Sequence, residues 1–108
     1  MDDHDALDAF SALGHATRLA IFRTLSREAP KALPAGALAE ATGTPPSTLT
    51  SHLQHLERAG LIRSTRRSRQ ILYSLDIAGA RDLVDFLTRD CCGGRPDICG
   101  TVPRQATA

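Results

Sequence analysis

The chain has 108 residues, a net charge of +1 and 42% apolar residues, which indicates a single soluble globular domain with a modest core. It begins MDDHD, without the basic stretch and apolar run of a secretory signal, and it lacks the run of roughly 20 apolar residues that a membrane span requires. We therefore expect a cytoplasmic protein with reduced thiols, and the odd count of three cysteines argues against a disulfide framework.

The near-neutral total hides an uneven distribution of charge. Residues 1–10 contain four aspartates and no lysine or arginine, whereas residues 58–70 contain five arginines and no acid. Because the planar guanidinium group suits phosphates and guanine edges, the basic block indicates contact with nucleic acid. A compositional bias would also explain why arginine is so much commoner than lysine here.

Two amphipathic helices are predicted in the first quarter of the chain. Apolar residues recur at helical spacing over residues 5–13 and again over 16–26, and Gly14 separates the two segments. The apolar positions are Leu7, Phe10 and Leu13 in the first segment and Leu19, Ile21, Phe22 and Leu25 in the second.

A helix-turn-helix pattern follows. Residues 29–34 are predicted to be a loop, and residues 35–42 a third helix that ends at Gly43. A fourth helix is predicted from Pro46 to Arg58, with a polar face opposite an apolar one. Its apolar positions are Leu49, Leu53 and Leu56, and its polar positions include Ser47, Thr48, Ser51, Gln54 and His55.

The period then changes from helical to alternating. Residues 61–66 and 69–75 predict two strands, and Arg67 with Ser68 is predicted to form the turn between them. A hairpin directly after a helix-turn-helix is a wing, and its tip carries several of the arginines.

Residues 77–90 predict a last helix, capped by Asp76. The predicted fold is therefore mainly α with a β-hairpin wing, in the order α-α-α-α-β-β-α. We divide the chain into a winged helix-turn-helix domain, residues 1–90, and a cysteine-containing segment with a flexible tail, residues 91–108.

Two stretches resemble the arsenic-repressor (ArsR/SmtB) family of bacterial winged-helix metalloregulators. They are ALGHATRLAIFRTL and STLTSHLQHLERAGLIRSTRRSRQILYSLD, and the resemblance covers roughly residues 5 to 90. The family usually has a proline where this chain has Ala16. The resemblance implies a repressor that an inducing ion releases from DNA, and a homodimer built from the first and last helices. The candidate interface residues are Leu7, Phe10, Leu83, Val84 and Leu87.

The resemblance also implies that the fourth helix enters the major groove of double-stranded operator DNA while the wing touches flanking DNA. Gln pairs bidentately with adenine, and Ser or Thr contacts bases or phosphates. For His52, a structural hydrogen bond and a DNA contact remain equally open. The candidate contacts are Ser47, Thr48, Ser51, His52, Gln54 and His55 on the helix, and Arg63, Arg66, Arg67 and Arg69 on phosphates or in the minor groove.

Two of the family's ion sites find no match in this sequence. Its usual arsenic site is a cysteine motif on the third helix, but the matching stretch AGALAEA contains no cysteine. Its zinc site on the last helix uses Asp and His, and residues 77–90 contain no His. The remaining candidate is DCCGGRPDICG, residues 90–100, which resembles variant arsenic repressors whose thiols lie at the end of the last helix.

Three thiolates suit As(III) or Sb(III), which are soft ions, whereas structural zinc requires four ligands. Cys91, Cys92 and Cys99 are thus candidate ligands, and Gly93 with Gly94 permits the chain to bend between them. Four alternatives stay open: an adjacent-cysteine disulfide, a thiol-redox switch, a cadmium or zinc site with a borrowed ligand, and incidental cysteines.

An enzyme is not expected. The arsenate reductases of phosphatase type need an arginine six positions after the cysteine, and here Asp97 follows Cys91 and Ile98 follows Cys92 at that distance. No phosphate-binding glycine loop or nucleophile elbow occurs, and no organic cofactor is expected. The alternative outside DNA-binding proteins is a cytosolic metalloid-sequestering protein, against which the arginine-rich wing argues.

Overall fold

The computed structural model, which describes residues 1–91, 95 and 97, contains the predicted elements in the predicted order, with one additional strand. Together the helices and the antiparallel sheet form a winged helix-turn-helix, as predicted. No helix of the described residues is long and apolar enough to cross a membrane. The elements are α1 (Asp3–Leu13), α2 (Ala16–Glu28), β1 (Leu33–Pro34), α3 (Ala35–Thr42), α4 (Pro46–Arg58), β2 (Ile62–Arg67), β3 (Gln70–Leu75) and α5 (Ile77–Asp85), which continues as a π-helical segment (Phe86–Cys91).

Local capping explains where several helices begin and end. The Asp76 carboxylate accepts the Gly79 N–H at 3.0 Å and starts α5, which confirms the predicted cap. Gly43 ends α3 with φ of 64°, a left-handed conformation that favours glycine. At α2 the cap is His15, whose Nδ1 accepts the Thr17 N–H at 3.1 Å. This last cap was not predicted.

The sheet contains a strand where a loop was predicted. Its order is β1-β3-β2, with both pairings antiparallel. In β1, Leu33 pairs with Tyr73 and Pro34 with Leu72. A strand of two residues is too short to produce an alternating pattern, and its partner lies far away along the chain. The sequence therefore carried no local signal for it.

The turn of the wing lies one residue later than predicted. Arg67 is the last residue of β2 and pairs with Gln70, so that Ser68 and Arg69 form the turn. Ser68 has φ of 56°, as one residue of a tight two-residue hairpin turn often requires. Arg67 therefore has the fixed orientation of a strand residue.

The core lies between the first four helices and the sheet, and α1 contributes to it with small residues. Ala6, Ala9 and Ala12 are buried, whereas Leu7 is 66% exposed and Phe10 37% exposed. Alanine permits a close approach of α1 to the rest of the domain, and it leaves the larger apolar side chains on the outside. On α4 the three predicted apolar positions, Leu49, Leu53 and Leu56, are all buried in the core.

The start of α5 packs directly against the turn between α4 and β2. The Asp76 N–H donates to the Leu61 carbonyl at 3.0 Å. A Cβ atom built on Gly79 would lie 1.8 Å from the carbonyl oxygen of Gly60. Only glycine fits at this position, because the approach is between two backbones.

Candidate nucleic-acid interface

The outer face of α4 is a polar stripe at helical spacing. Ser47, Ser51, Gln54 and Arg58 are exposed and follow one another at steps of four, three and four, opposite the buried leucines. The basic block of the sequence included Arg58, but the predicted DNA contacts did not. Arg58 lies four residues after Gln54, and this helical spacing was the signal that would have placed Arg58 among the predicted contacts.

The polar groups on this stripe and beside it, at Thr48, differ in the hydrogen bonds that they can make with a ligand. Ser51 Oγ donates to the Thr48 carbonyl at 3.1 Å, and Thr48 Oγ1 donates to the Pro45 carbonyl at 3.1 Å. Their hydroxyl protons are thus used within the helix, and their oxygen lone pairs remain as acceptors. Within the described part of the chain, the Gln54 amide makes no hydrogen bond, so both its donor and its acceptor are available.

His52 lies on the side of α4 that faces α2, away from the centre of the polar stripe. It is half-buried, and Arg18 Nη1 lies 3.3 Å from its Nδ1. Because a guanidinium group only donates, His52 Nδ1 must accept, and the ring proton is on Nε2. Of the two roles left open by the sequence, the geometry favours the structural hydrogen bond.

The rings of His15 and His52 also contact each other, with centroids 4.6 Å apart and an interplanar angle of 39°. Burial, followed by the neighbouring His15 and Arg18, holds the pKa of His52 below its usual value. The neutral form is therefore favoured in the folded protein, which is the form that accepts the Arg18 hydrogen bond.

His55, a second predicted DNA contact, faces α1 more than the polar stripe. It lines a surface cleft of about 440 Å³ together with Asp8, Arg58 and Ala59. Burial and then the nearby Arg18 and Arg58 lower its pKa, while Asp8 opposes them. The polar stripe of α4 is thus narrower than predicted, because His52 and His55 lie away from it.

The arginines of the wing are all exposed, but they do not share one face. In a strand successive side chains point to opposite sides, so Arg66 lies on one face of the hairpin, and Arg63 and Arg67 lie on the other. Ser64 identifies the face that Arg66 shares, since Ser64 Oγ donates to Glu57 of α4 at 2.6 Å.

That hydrogen bond connects the end of α4 to the wing. Tyr73 pairs with Ser64 across the sheet, and burial together with the nearby Glu57 carboxylate raises the pKa of its phenol. The helix and the hairpin therefore form one unit that presents a polar stripe and a set of arginines together. Arg69 lies in the turn, at the tip of this unit.

An apolar surface lies on α1, on α5 and on the π-helical segment that continues α5. Leu7, Phe10, Val84 and Leu87 are between 37% and 66% exposed. The rings of Phe10 and Phe86 meet edge to face, 6.4 Å apart, and this contact joins the two helices into one surface. Leu83 differs from the other predicted interface residues: it is only 7% exposed and packs in the chain's own core.

The predicted ion site lies almost entirely outside the described residues. The backbone of Cys91 ends the π-helical segment, and Cys92 and Cys99 fall beyond what the structure describes. Among the described residues, no group of three His, Cys, Asp or Glu side chains is arranged to hold a metal ion.

Comparisons with known proteins agree with this architecture. Residues 13–65 match the model of a family described as a helix-turn-helix domain. No curated protein sequence matches the chain. Among solved structures, the chain is similar to an ArsR-like transcriptional regulator from Rhodococcus sp. RHA1, with 26% identity and a TM-score of 0.73, over 96% of this chain and 89% of that one.

Two further structures are similar. The transcriptional repressor BigR from Xylella fastidiosa is 25% identical with a TM-score of 0.62, over 82% of this chain and 88% of BigR. The homodimeric winged helix-turn-helix DNA-binding domain of a possible ArsR-family transcriptional regulator from Mycobacterium bovis is 23% identical with a TM-score of 0.65, over 88% of this chain and 94% of that one. The chain is a winged helix-turn-helix protein, and its architecture is that of the ArsR type of transcriptional regulator.

Proposed function

We propose that the protein is a dimeric, cytoplasmic transcriptional repressor that binds operator DNA and leaves it when As(III) or Sb(III) binds three cysteine thiolates. One observation carries the DNA-binding part of this proposal. The polar stripe of α4 and the arginines of the wing belong to one unit, connected through the hydrogen bond of Ser64 to Glu57.

The two parts of this unit have different tasks. Ser47, Ser51 and Gln54 project from α4 towards base edges in the major groove, where Gln54 can pair bidentately with adenine. The arginines of the wing bind phosphates, which supplies affinity that is independent of sequence and sensitive to salt. Helix α4 is therefore the recognition helix of the proposed repressor.

Dimer formation is supported by the apolar surface on α1 and α5. Leu7, Phe10 and Val84 lie on a surface that a second copy of the chain would remove from water. The similar domain from Mycobacterium bovis is described as homodimeric. Two copies present two recognition helices, which must match half-sites about one turn of DNA apart.

The inducer is proposed to bind residues 91–108, the segment that follows α5. Cys91, Cys92 and Cys99 supply the three soft thiolates that trivalent arsenic or antimony prefers. An ion bound there is placed next to the dimerising helix, so that binding changes the spacing of the two recognition helices. Such a coupling between ion and DNA is about 1–3 kcal/mol, and it is reciprocal.

Two alternatives share the DNA-binding unit and differ in the signal. Oxidation of two of the three thiols would make the protein a redox-sensing repressor, and a fourth ligand borrowed from elsewhere would make the site suitable for cadmium or zinc. The third alternative, a metalloid-sequestering protein without a DNA function, leaves the arginines of the wing without a role.

A gel shift tests the proposal. Reduced protein is used to select duplexes from a random library, and the selected operator is titrated with and without arsenite. Wild-type protein should bind and should be released by arsenite, whereas Cys92→Ser should bind with unchanged affinity and remain bound. Release of Cys92→Ser by arsenite contradicts the three-thiolate site.

Further arms of the same experiment separate the alternatives. Release by peroxide but not by arsenite establishes the redox switch, and release by cadmium or zinc alone establishes a divalent site. If the wild-type protein enriches no duplex, DNA binding is wrong and the sequestering function takes its place.

A further inference from the structure

We propose that Arg18 is a positioning residue that fixes the recognition helix α4 to the end of α1, and that it holds α4 only while His52 is neutral. This inference rests on the DNA binding proposed above. It assigns a role to a side chain on α2 that lies behind the polar stripe, on the inner side of the domain.

Three hydrogen bonds radiate from one guanidinium group. Arg18 Nε donates to the Ala12 carbonyl at 2.6 Å, and Nη2 donates to the Ser11 carbonyl at 3.4 Å. Both carbonyls belong to the last turn of α1, and the carbonyl end of a helix favours a positive charge. The Ser11 carbonyl also accepts the Gly14 N–H at 3.2 Å. The third bond, from Nη1, goes to His52 Nδ1 on α4.

The two helices joined in this way have different tasks. Helix α1 carries Leu7 and Phe10, which belong to the apolar surface proposed for the dimer. Helix α4 carries the polar stripe, and His52 is the neighbour of Ser51 and lies two residues before Gln54. One side chain thus transmits the position of a dimerising helix to the helix that contacts DNA.

The arrangement depends on the protonation of His52. Arginine has no acceptor, so a second proton on the imidazole at Nδ1 would place an N–H against the N–H of Arg18. The groups that face His52 are His15, which caps α2, Arg18 of α2, and His55 of its own helix. The groups from α1 in the same cluster are the carbonyls that hold Arg18. All the titratable neighbours are potential cations, and they disfavour a charge on His52.

Burial and these cations lower the pKa of His52 from its usual 6.5. The hydrogen bond from Arg18 to His52 is therefore formed at neutral pH. It is lost as the pH falls through the pKa of His52 in the folded protein, which lies below 6.5. Operator affinity should follow the same course.

The proposal is tested with the operator selected by the wild-type protein and with four variants. Arg18→Lys keeps the charge, but one ammonium group does not span both α1 carbonyls and His52. His52→Asn places an amide oxygen where Nδ1 lies and removes the titration, whereas His52→Leu removes the acceptor. His15→Asn is the matched control, because its side chain keeps the N-cap acceptor and removes the neighbouring imidazole.

At neutral pH, Arg18→Lys and His52→Leu should bind the operator about tenfold more weakly, while His52→Asn should bind as the wild type does. The salt slope of all variants should equal that of the wild type, since none of these side chains contacts a phosphate. A further variant, Arg18→Gln, removes the charge that Arg18→Lys keeps; a slope lowered by about 0.9 in Arg18→Gln would place Arg18 on the DNA and overturn the proposal.

The pH dependence of operator binding tests the second part of the proposal, which is that His52 must be neutral. Wild-type and His15→Asn affinities should fall severalfold between about pH 7.5 and about pH 5, and His52→Asn should lose this dependence. A wild-type affinity that stays constant, or a dependence that persists in His52→Asn, overturns the role of His52. The His52→Asn profile decides this even if Arg18→Lys fails to fold. Failure of the wild type to enrich any duplex refutes the proposed function instead.

Discussion

Substitution of Gly79 by alanine should destabilise the protein strongly, although the change adds only one methyl group. The new Cβ atom would lie 1.8 Å from the Gly60 carbonyl oxygen and 3.0 Å from its carbon, where ordinary contact begins at 3.4 Å. Helix α5 and the turn before β2 would have to separate by about 1.6 Å along that line. Neither partner is a flexible side chain, so the backbone itself must move. Overpacking of this kind costs about 3 kcal/mol.

The assays are urea unfolding and thermal unfolding at a fixed protein concentration, because the proposed dimer would make the apparent stability depend on concentration. In a domain of this size, about 3 kcal/mol corresponds to a fall in Tm of about 12 °C or more. Gly36→Ala is the matched control: it lies within α3 with nothing within 4 Å of the new Cβ, and it should gain up to about 1 kcal/mol. A Gly79→Ala variant as stable as the wild type would refute the reasoning.

Two further predictions concern the wing and the histidine cluster. The double variant Arg66→Ala/Arg67→Ala should bind the operator more weakly, with a salt slope lower by about 0.9 for each phosphate that it no longer neutralises, and Arg23→Ala on the exposed side of α2 should leave the slope unchanged. An unchanged slope in the double variant removes both arginines from the interface. The free energy of unfolding should fall as the pH decreases below about 6.5, since the unfolded chain protonates His52 before the folded protein does. His52→Asn should make this acid limb shallower, because only His55 then contributes to it, and an equally steep limb in that variant would contradict the assignment.

The helices and the hairpin followed from local patterns. The spacing of Leu49, Leu53 and Leu56 predicted the buried face of α4, and Asp76 predicted the start of α5. Such features can be predicted from the sequence because periodicity and capping involve residues within one or two turns of each other. The polar stripe of α4 and the arginines of the wing followed in the same way.

The turn of the wing and strand β1 were not predicted correctly from local sequence patterns. The alternation of apolar residues located the hairpin, but it placed the turn one residue too early, since the two-residue turn is set by the pairing of Arg67 with Gln70. Strand β1 exists through its pairing with β3 and leaves no pattern of its own. Element boundaries and very short strands depend on partners, which a local window does not contain.

The sequence by itself thus determined the class of fold, the helix-turn-helix with its wing, and the candidate thiols. The tertiary structure alone decided which side chains act behind the DNA-binding surface. The sequence allowed either a DNA contact or a structural hydrogen bond for His52, and the fold places Arg18, 34 residues away, at its Nδ1. Gly79 had no significance until the carbonyl of Gly60 was found against it. Both contacts join positions that only the folded chain brings together, and no periodicity or spacing encodes them.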